Sequence, residues 1–241
     1  MPRYIKKIWS GDVYEAEEYY SRRKINKSCL RGPNENGSSA EQQERNLKYA
    51  RKKLARKINA NFGKGDLFLT LTHKQHVGYG EAKRQLQNFL KRLKRKRKKM
   101  GLPELKYVAV TEAEDKRAHH HLVVSGTDLT IDQWTELWGQ GRIMISRLEP
   151  DGDYTGLTRY ITKECPLDHS KRWSCSRNLV EPKVEVVPMK DEKPKQRLRV
   201  PKGYREVERY EYASEENGMF RYIKAIRNGG ADYGEGKEQE S

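Results

Sequence analysis

Residues 106–126, "KYVAVTEAEDKRAHHHLVVSG", contain two short apolar runs around a charged turn, and three of the chain's six histidines stand together at the mouth of the second run. The runs read as the strands of a hairpin, "KYVAVTE" (106–112) and "HHHLVV" (119–124), with "EDKR" turning the chain between them. Side chains alternate along a strand, so His119 and His121 point to one face, about 7 Å apart, and His120 points to the other. Neutral imidazole is the commonest metal ligand, and burying two imidazoles without partners is costly. A carboxylate to join them is at hand in Glu112, at the end of the preceding strand, or in Glu114 or Asp115 in the turn. Two imidazoles, one carboxylate and open positions suit Mn²⁺ or Mg²⁺. Zinc is disfavoured because no cysteine pair accompanies the histidines. The plain alternative is a pair of structural histidines.

Working outward, "LFLTLT" (67–72) reads as a central strand. A helix follows from Gly80 to about Lys99, with Leu86, Phe89, Leu90 and Leu93 as its buried stripe. Beyond the hairpin, "TIDQWTELWG" (130–139) is a short amphipathic helix with Ile131, Trp134, Leu137 and Trp138 turned inward. "GRIMISRL" (141–148) is another strand, and "DGDYTGLTRYITKEC" (151–165) begins as a turn and becomes a helix. The order β-α-β-β-α-β-α from residue 67 predicts an α+β fold, a ferredoxin-like antiparallel sheet with helices packed on it.

Upstream, Arg3–Trp9 has strand character and "RGPNENGSSAEQQ" (31–43) has loop composition. Ser39, with Gln42 three residues on, opens a capped helix that runs to about Asn59 on a stripe of Leu47, Ala50, Leu54, Ala55 and Ile58. After Lys171 the pattern weakens. A stretch with four prolines (178–204) reads as extended chain, then "REVERYEY" and "MFRYIKAI" pair as a hairpin. The organisation expected is a basic N-terminal extension (1–60), a core (61–170), an irregular C-terminal extension (171–228) and a disordered tail (229–241).

The 241 residues carry a formal charge of +16 with a pI near 9.6, which favours a polyanionic partner: nucleic acid first, an anionic membrane surface second. Hydrophobic content of 34% and a mean hydropathy of −1.06 leave a modest core. No apolar run approaches the roughly 18 residues of a membrane span, and "MPRYIKKIWSGD" has no apolar signal-peptide region. Cys29, Cys165 and Cys175 sit at no metal-ligand spacing and suit a reducing cytoplasm. No phosphate-binding G-x-x-x-x-G-K-[ST] loop is present, so no ATPase or helicase module is expected.

Eight of the ten residues in "KRLKRKRKKM" (91–100) are Lys or Arg. A merely solvated face does not explain so many like charges side by side, whereas a phosphate backbone would neutralise them. Lys91, Arg92, Lys94, Arg95, Lys96 and Arg97 are therefore candidate DNA contacts. In "RYITKE", Tyr160 and Lys163 are three apart and should share a helical face. A tyrosine phenol, with an ordinary pKa near 10, needs a metal, a lysine or a base beside it to act as a nucleophile. Taken alone, the pair is a packed tyrosine and a solvated lysine.

In order, "FLTLT", "E…HHHLVV" and "YITK" resemble the motifs of HUH endonucleases of the replication-initiator (Rep) class, such as the replication-associated proteins of bacterial rolling-circle phages, plasmids and mobile elements. "SRNLVEP" (176–182) also looks like this group. The resemblance covers roughly residues 60–170. It implies that His119 and His121 bind a divalent metal with Glu112 as third ligand, that Tyr160 is the nucleophile and that Lys163 assists it. One departure is His120, where the family's motif has an apolar residue, so His120 could substitute as a ligand. The implied activity is nicking and rejoining of single-stranded origin DNA, with or without an extruded hairpin, through a 5′-phosphotyrosyl link. The free 3′ end would prime a host polymerase, served by a host helicase. The alternatives are a single-tyrosine transposase or relaxase of the same superfamily, or a non-catalytic nucleic-acid-binding regulator.

Overall fold

The computed structural model describes residues 2–21, 39–112, 117–149, 152–163, 173–189, 198–214 and 218–228. Glu114, Asp115, Cys29, Cys165 and the tail expected to be disordered lie outside the described residues. In chain order the elements are β1 (Arg3–Ser10), β2 (Val13–Tyr20), α1 (Ala40–Asn59), β3 (Leu67–His73), α2 (Tyr79–Lys99), β4 (Tyr107–Glu112), β5 (His119–Val124), α3 (Ile131–Trp138), β6 (Gly141–Arg147), α4 (Thr155–Ile161), β7 (Trp173–Cys175), β8 (Lys183–Met189), β9 (Tyr204–Ser214) and β10 (Gly218–Arg227). They form two five-stranded antiparallel sheets with helices packed between and upon them, an α+β architecture as expected.

The site-bearing sheet has the order β6-β3-β5-β4-β7. Its first four strands follow the ferredoxin-like arrangement, in which the first and third strands of a β-α-β-β-α-β unit lie at the centre. Alternation divides its faces. Leu67, Leu69 and Leu71 of β3, Ala109 of β4 and Leu122 and Val124 of β5 turn to one side, where Leu86, Phe89 and Leu93 of α2 and Trp134 and Trp138 of α3 close a core over them. Full burial of each large apolar side chain contributes about 1.5–3 kcal/mol. Phe68, Val108, Val110 and Val123 turn to the other side, against Leu54 and Ile58 of α1 and Ile161 of α4. The sheet thus separates α2 and α3 from α1 and α4.

The second sheet, β8-β1-β2-β10-β9, is assembled from both ends of the chain. The "irregular" C-terminal extension is therefore regular: β8 pairs with β1, and the β9–β10 hairpin docks on β2. Pro188 is compatible with β8 because β8 is an edge strand. α1 bridges the two sheets. Its apolar stripe enters the first, and its Arg56 reaches Glu15 and Glu17 of β2 at 2.6 and 2.7 Å.

Local signals behave unevenly. Ser39 caps α1 by accepting from the Gln42 amide, but the Gln42 side chain turns to Asn46, so the reciprocal half of the capping box is missing. The complete box belongs to α3, between Thr130 and Gln133. Ile131, expected inward, is 57% exposed at the first turn of α3.

Candidate active site

On the α1/α4 side of the first sheet, β5 lies between β3 and β4, and the register sets Thr70 and Val110 beside His121, and Thr72 and Glu112 beside His119. All these side chains share one face, so three strands deliver His119, His121, Glu112, Thr70 and Thr72 to a single patch. The Nδ1 atoms of His121 and His119 lie 3.3 Å from the Thr70 and Thr72 hydroxyls. With Nδ1 donating its proton to a hydroxyl oxygen, each ring keeps Nε2 unprotonated, the form that can ligate a metal. The His121 Nε2 lies 3.4 Å from a Glu112 carboxylate oxygen.

That spacing and donor set fit a small divalent cation, since an octahedral ion about 2.1 Å from its ligands sets neighbouring donors about 3 Å apart. Among the described residues no three His, Cys, Asp or Glu side chains already converge at metal-binding spacing. The donors therefore amount to a close Glu112–His121 pair with His119 next to it on the face.

His120 takes the opposite face and is fully buried, with its Nε2 2.9 Å from that of His73 and its Nδ1 3.0 Å from the Thr111 hydroxyl. The Trp138 ring packs edge-on to both imidazoles. Burial, with His73 adding to it, pushes the His120 pKa down to about 3. The substitution of His120 for a ligand on the Glu112 face is thereby ruled out by geometry.

α4 carries Tyr160 onto the patch. Its ring stands 5.4 Å from that of His121 and 6.2 Å from that of Phe68, edge-on to both, while the side chain remains 58% exposed. The helix is pinned at both ends. At its start, Lys224 of β10 donates to Asp153 at 2.5 Å and to Thr155 at 2.8 Å. At its end, Arg51 of α1 donates to the Thr162 carbonyl and hydroxyl. Tyr154, the other tyrosine of this segment, is buried and donates its hydroxyl to the Glu149 carbonyl, a packing role.

Lys163 does not share a helical face with Tyr160, because α4 ends at Ile161. Thr158 and Thr162 turn their hydroxyls back onto carbonyls four residues earlier, a bond that competes with regular helix. Lys163 follows in the closing turn, exposed, with its amide donating to the Tyr160 carbonyl.

The basic run of α2 lies on the other side of the sheet. Two of its arginines are occupied within the fold. Arg97 is 3% exposed and donates to the carbonyls of Pro103 and Gly126 and to Thr127, while Arg92 donates to the Leu137 and Trp138 carbonyls. Arg97, buried with all three guanidinium nitrogens bonded, is thereby corrected from a DNA contact to a structural tie, while Arg92 is half-buried and ties α2 to α3 through two of its five donors. Lys91, Lys94 and Arg95 are exposed and Lys96 is half-buried.

Sequence reasoning missed Thr70, Thr72, Phe68 and Arg51 as parts of the site. The threonines had a legible signal: they recur at i and i+2, the spacing of His119 and His121 on the strand beside them.

Residues 66–165 match the family model described as replication-associated protein ORF2/G2P. The match runs from β3 through α4 and contains every side chain of the patch, while α1 and the whole of the second sheet lie outside it. It supports a replication-associated role for this part of the chain. No curated protein and no solved structure gives a significant match.

Proposed function

We propose that the protein initiates rolling-circle replication by nicking and rejoining single-stranded origin DNA, with Tyr160 as nucleophile. The observation that carries this reading is the meeting of an exposed tyrosine on α4 with the His121 ring of a His₂Glu face, within residues that match a replication-associated family. Tyr160 is accessible to a polymer, yet its ring is held by Phe68 and His121. Such fixed placement supplies the proximity that an in-line displacement needs.

In the step proposed, the Tyr160 oxygen attacks the scissile phosphorus and gives up its proton. The bond from phosphorus to the 3′ oxygen breaks, and that oxygen takes up a proton. One phosphodiester is exchanged for another, so the link to Tyr160 retains the energy of the cleaved bond and a returning 3′-OH can reverse the reaction without ATP. A Mg²⁺ or Mn²⁺ ion held by Glu112, His119 and His121 would supply Lewis-acid polarisation of the phosphate. By accepting from Nδ1–H, Thr70 and Thr72 would hold the two imidazoles in the ligating tautomer. Lys163, exposed in the turn after α4, would offer its ammonium to the phosphate. The 3′-OH would serve a host polymerase, and strand opening falls to a separate helicase. No helix among the described residues is long and apolar enough to cross a membrane.

The test is incubation of 3′-labelled single-stranded origin DNA with the protein and Mn²⁺. The expected result is an SDS-resistant labelled adduct with the wild type and none with Tyr160→Phe or with EDTA. A gel shift without any adduct would support the non-catalytic regulator instead.

A further inference from the structure

A cavity of about 410 Å³ opens between α1, the start of α4 and the β9–β10 hairpin of the second sheet. Six cationic side chains and two carboxylates line it. Most of the inner cations are matched: Arg56 and Lys52 pair with Glu15 and Glu17, and Lys224 pairs with Asp153. Arg159 makes no ion pair among the described residues, and Lys48 has only the exposed Glu44 at 3.0 Å, a pair worth little in water. Arg159 directly precedes Tyr160, so the helix that turns the tyrosine to His121 turns its neighbour to this cavity.

From the cavity an aromatic row runs outward along the same face of the second sheet. Tyr222 pairs with Tyr210 across the strands, and Phe220 with Tyr212. Successive ring centroids are 4.8 Å (Tyr222–Tyr210), 6.2 Å (Tyr210–Phe220) and 5.1 Å (Phe220–Tyr212) apart, with planes tilted by only 26–31°. Tyr210 is 40% exposed and Tyr212 56%. The acidic residues of β9 do not block this face: Glu206 and Glu211 lie on the reverse side, paired with Arg209 and Arg221, and Glu208 alone stands at the cavity rim. Near-parallel rings beside unmatched cations offer a surface for unpaired bases linked by phosphates. A duplex hides its base faces, and an aliphatic protein surface would leave Arg159 without a partner.

We propose that this cavity and aromatic row form a track for single-stranded DNA flanking the scissile phosphate. Bases stack on Tyr210, Phe220 and Tyr212, and phosphates meet Lys48 and Arg159. The inference rests on the DNA-nicking reading for the identity of the strand, but the surface binds without cleavage. Lys48 and the three stacking rings lie outside the stretch matched by the replication-associated family, and Arg159 lies within it.

The test measures fluorescence anisotropy of a labelled mixed-sequence single strand, and of the same sequence as a blunt duplex, in EDTA. Wild type, Tyr210→Ala/Tyr212→Ala and Arg159→Gln are compared as full chains, with thermal unfolding recorded for each. Stacking on an aromatic is strong enough that the double variant should bind the single strand at least about tenfold more weakly. Its duplex binding and unfolding midpoint should stay close to wild type, and Tyr210→Trp/Tyr212→Trp should retain single-strand affinity. Unchanged single-strand affinity in the alanine variant, or an equal loss on duplex, overturns the track. The adduct assay is run in parallel on the wild type. Adducts together with unchanged binding would overturn the track and leave the nicking reading standing. Loss of single-strand binding in the variant, with no adduct from the wild type, would support the track and overturn the nicking reading.

Discussion

Lys224→Met tests whether the second sheet holds the nucleophile's helix. Lys224 is 8% exposed and Asp153 19%, and the ammonium bridges Asp153 and Thr155 at the start of α4. Methionine keeps the length and most of the methylene packing but removes the charge. Breaking a buried pair from one side costs about 3–5 kcal/mol when the partner is left bare. Asp153 is not left bare, since the Thr155 amide and hydroxyl still donate to it at 3.1 and 2.7 Å. The expected loss is therefore about 2–3 kcal/mol. For a chain of this size that is a fall in Tm of about 5–10 °C, read by circular dichroism at pH 7. Acid should narrow the gap. Burial pushes the Asp153 carboxyl up, but the Lys224 ammonium and the Thr155 donors outweigh it and hold the carboxyl below its ordinary range. A carboxyl depressed in the folded state contributes fully above its unfolded pKa, near 3.9, and its contribution is lost as pH falls through the folded value. The difference between wild type and Lys224→Met should thus be complete at pH 7 and shrink below about pH 4. A double-mutant cycle with Asp153→Asn should give a coupling of at least about 1 kcal/mol. A Tm unchanged by Lys224→Met, or a cycle without coupling, would refute the pinning of α4 by the sheet.

Thr70→Val and Thr72→Val should each lower Mn²⁺ affinity by about 10–100-fold in an electron paramagnetic resonance titration, because the imidazoles lose the acceptors that fix their tautomer; equal affinity would remove the threonines from the site. Lys91→Glu, Lys94→Glu and Arg95→Glu together should reduce the slope of log K against log salt for DNA by about 2–3 if this face contacts phosphates, whereas Arg97→Glu should unfold the protein, as circular dichroism would reveal. His120→Ala should destabilise the fold by about 2–4 kcal/mol through a cavity and orphaned partners at His73 and Thr111, yet leave Mn²⁺ affinity intact; a variant that loses metal without losing stability would reverse the assignment of faces.

The strand alternation in "HHHLVV" was enough to separate His119 and His121 from His120, because a period of two is a local property. What occupies the far face was not legible: His73 meets His120 only through the pairing of β3 with β5, 47 residues away in sequence. The charge density of residues 91–100 hid a periodic signal, since Arg97 follows Leu93 by four and continues the buried stripe Leu86, Leu90, Leu93. The end of α4 was misjudged because Y-x-x-K suggests helix through Lys163, while the threonine back-bonds and the Arg51 contacts that close it depend on α1. In the second sheet β1 and the β9–β10 hairpin were legible as pieces, but their assembly into one sheet with β2 and β8 was not. Its strands come from opposite ends of the chain, and Pro188 disguised β8, whose edge position was visible only in the assembled sheet.

The central claim is tested most directly by trimming the protein–DNA adduct with nuclease and locating the remaining nucleotide by tandem mass spectrometry. The account predicts a nucleotide 5′-phosphate esterified to the Tyr160 oxygen and nowhere else. A nucleotide on Tyr154, on any other residue, or on none under either Mn²⁺ or Mg²⁺ would contradict it.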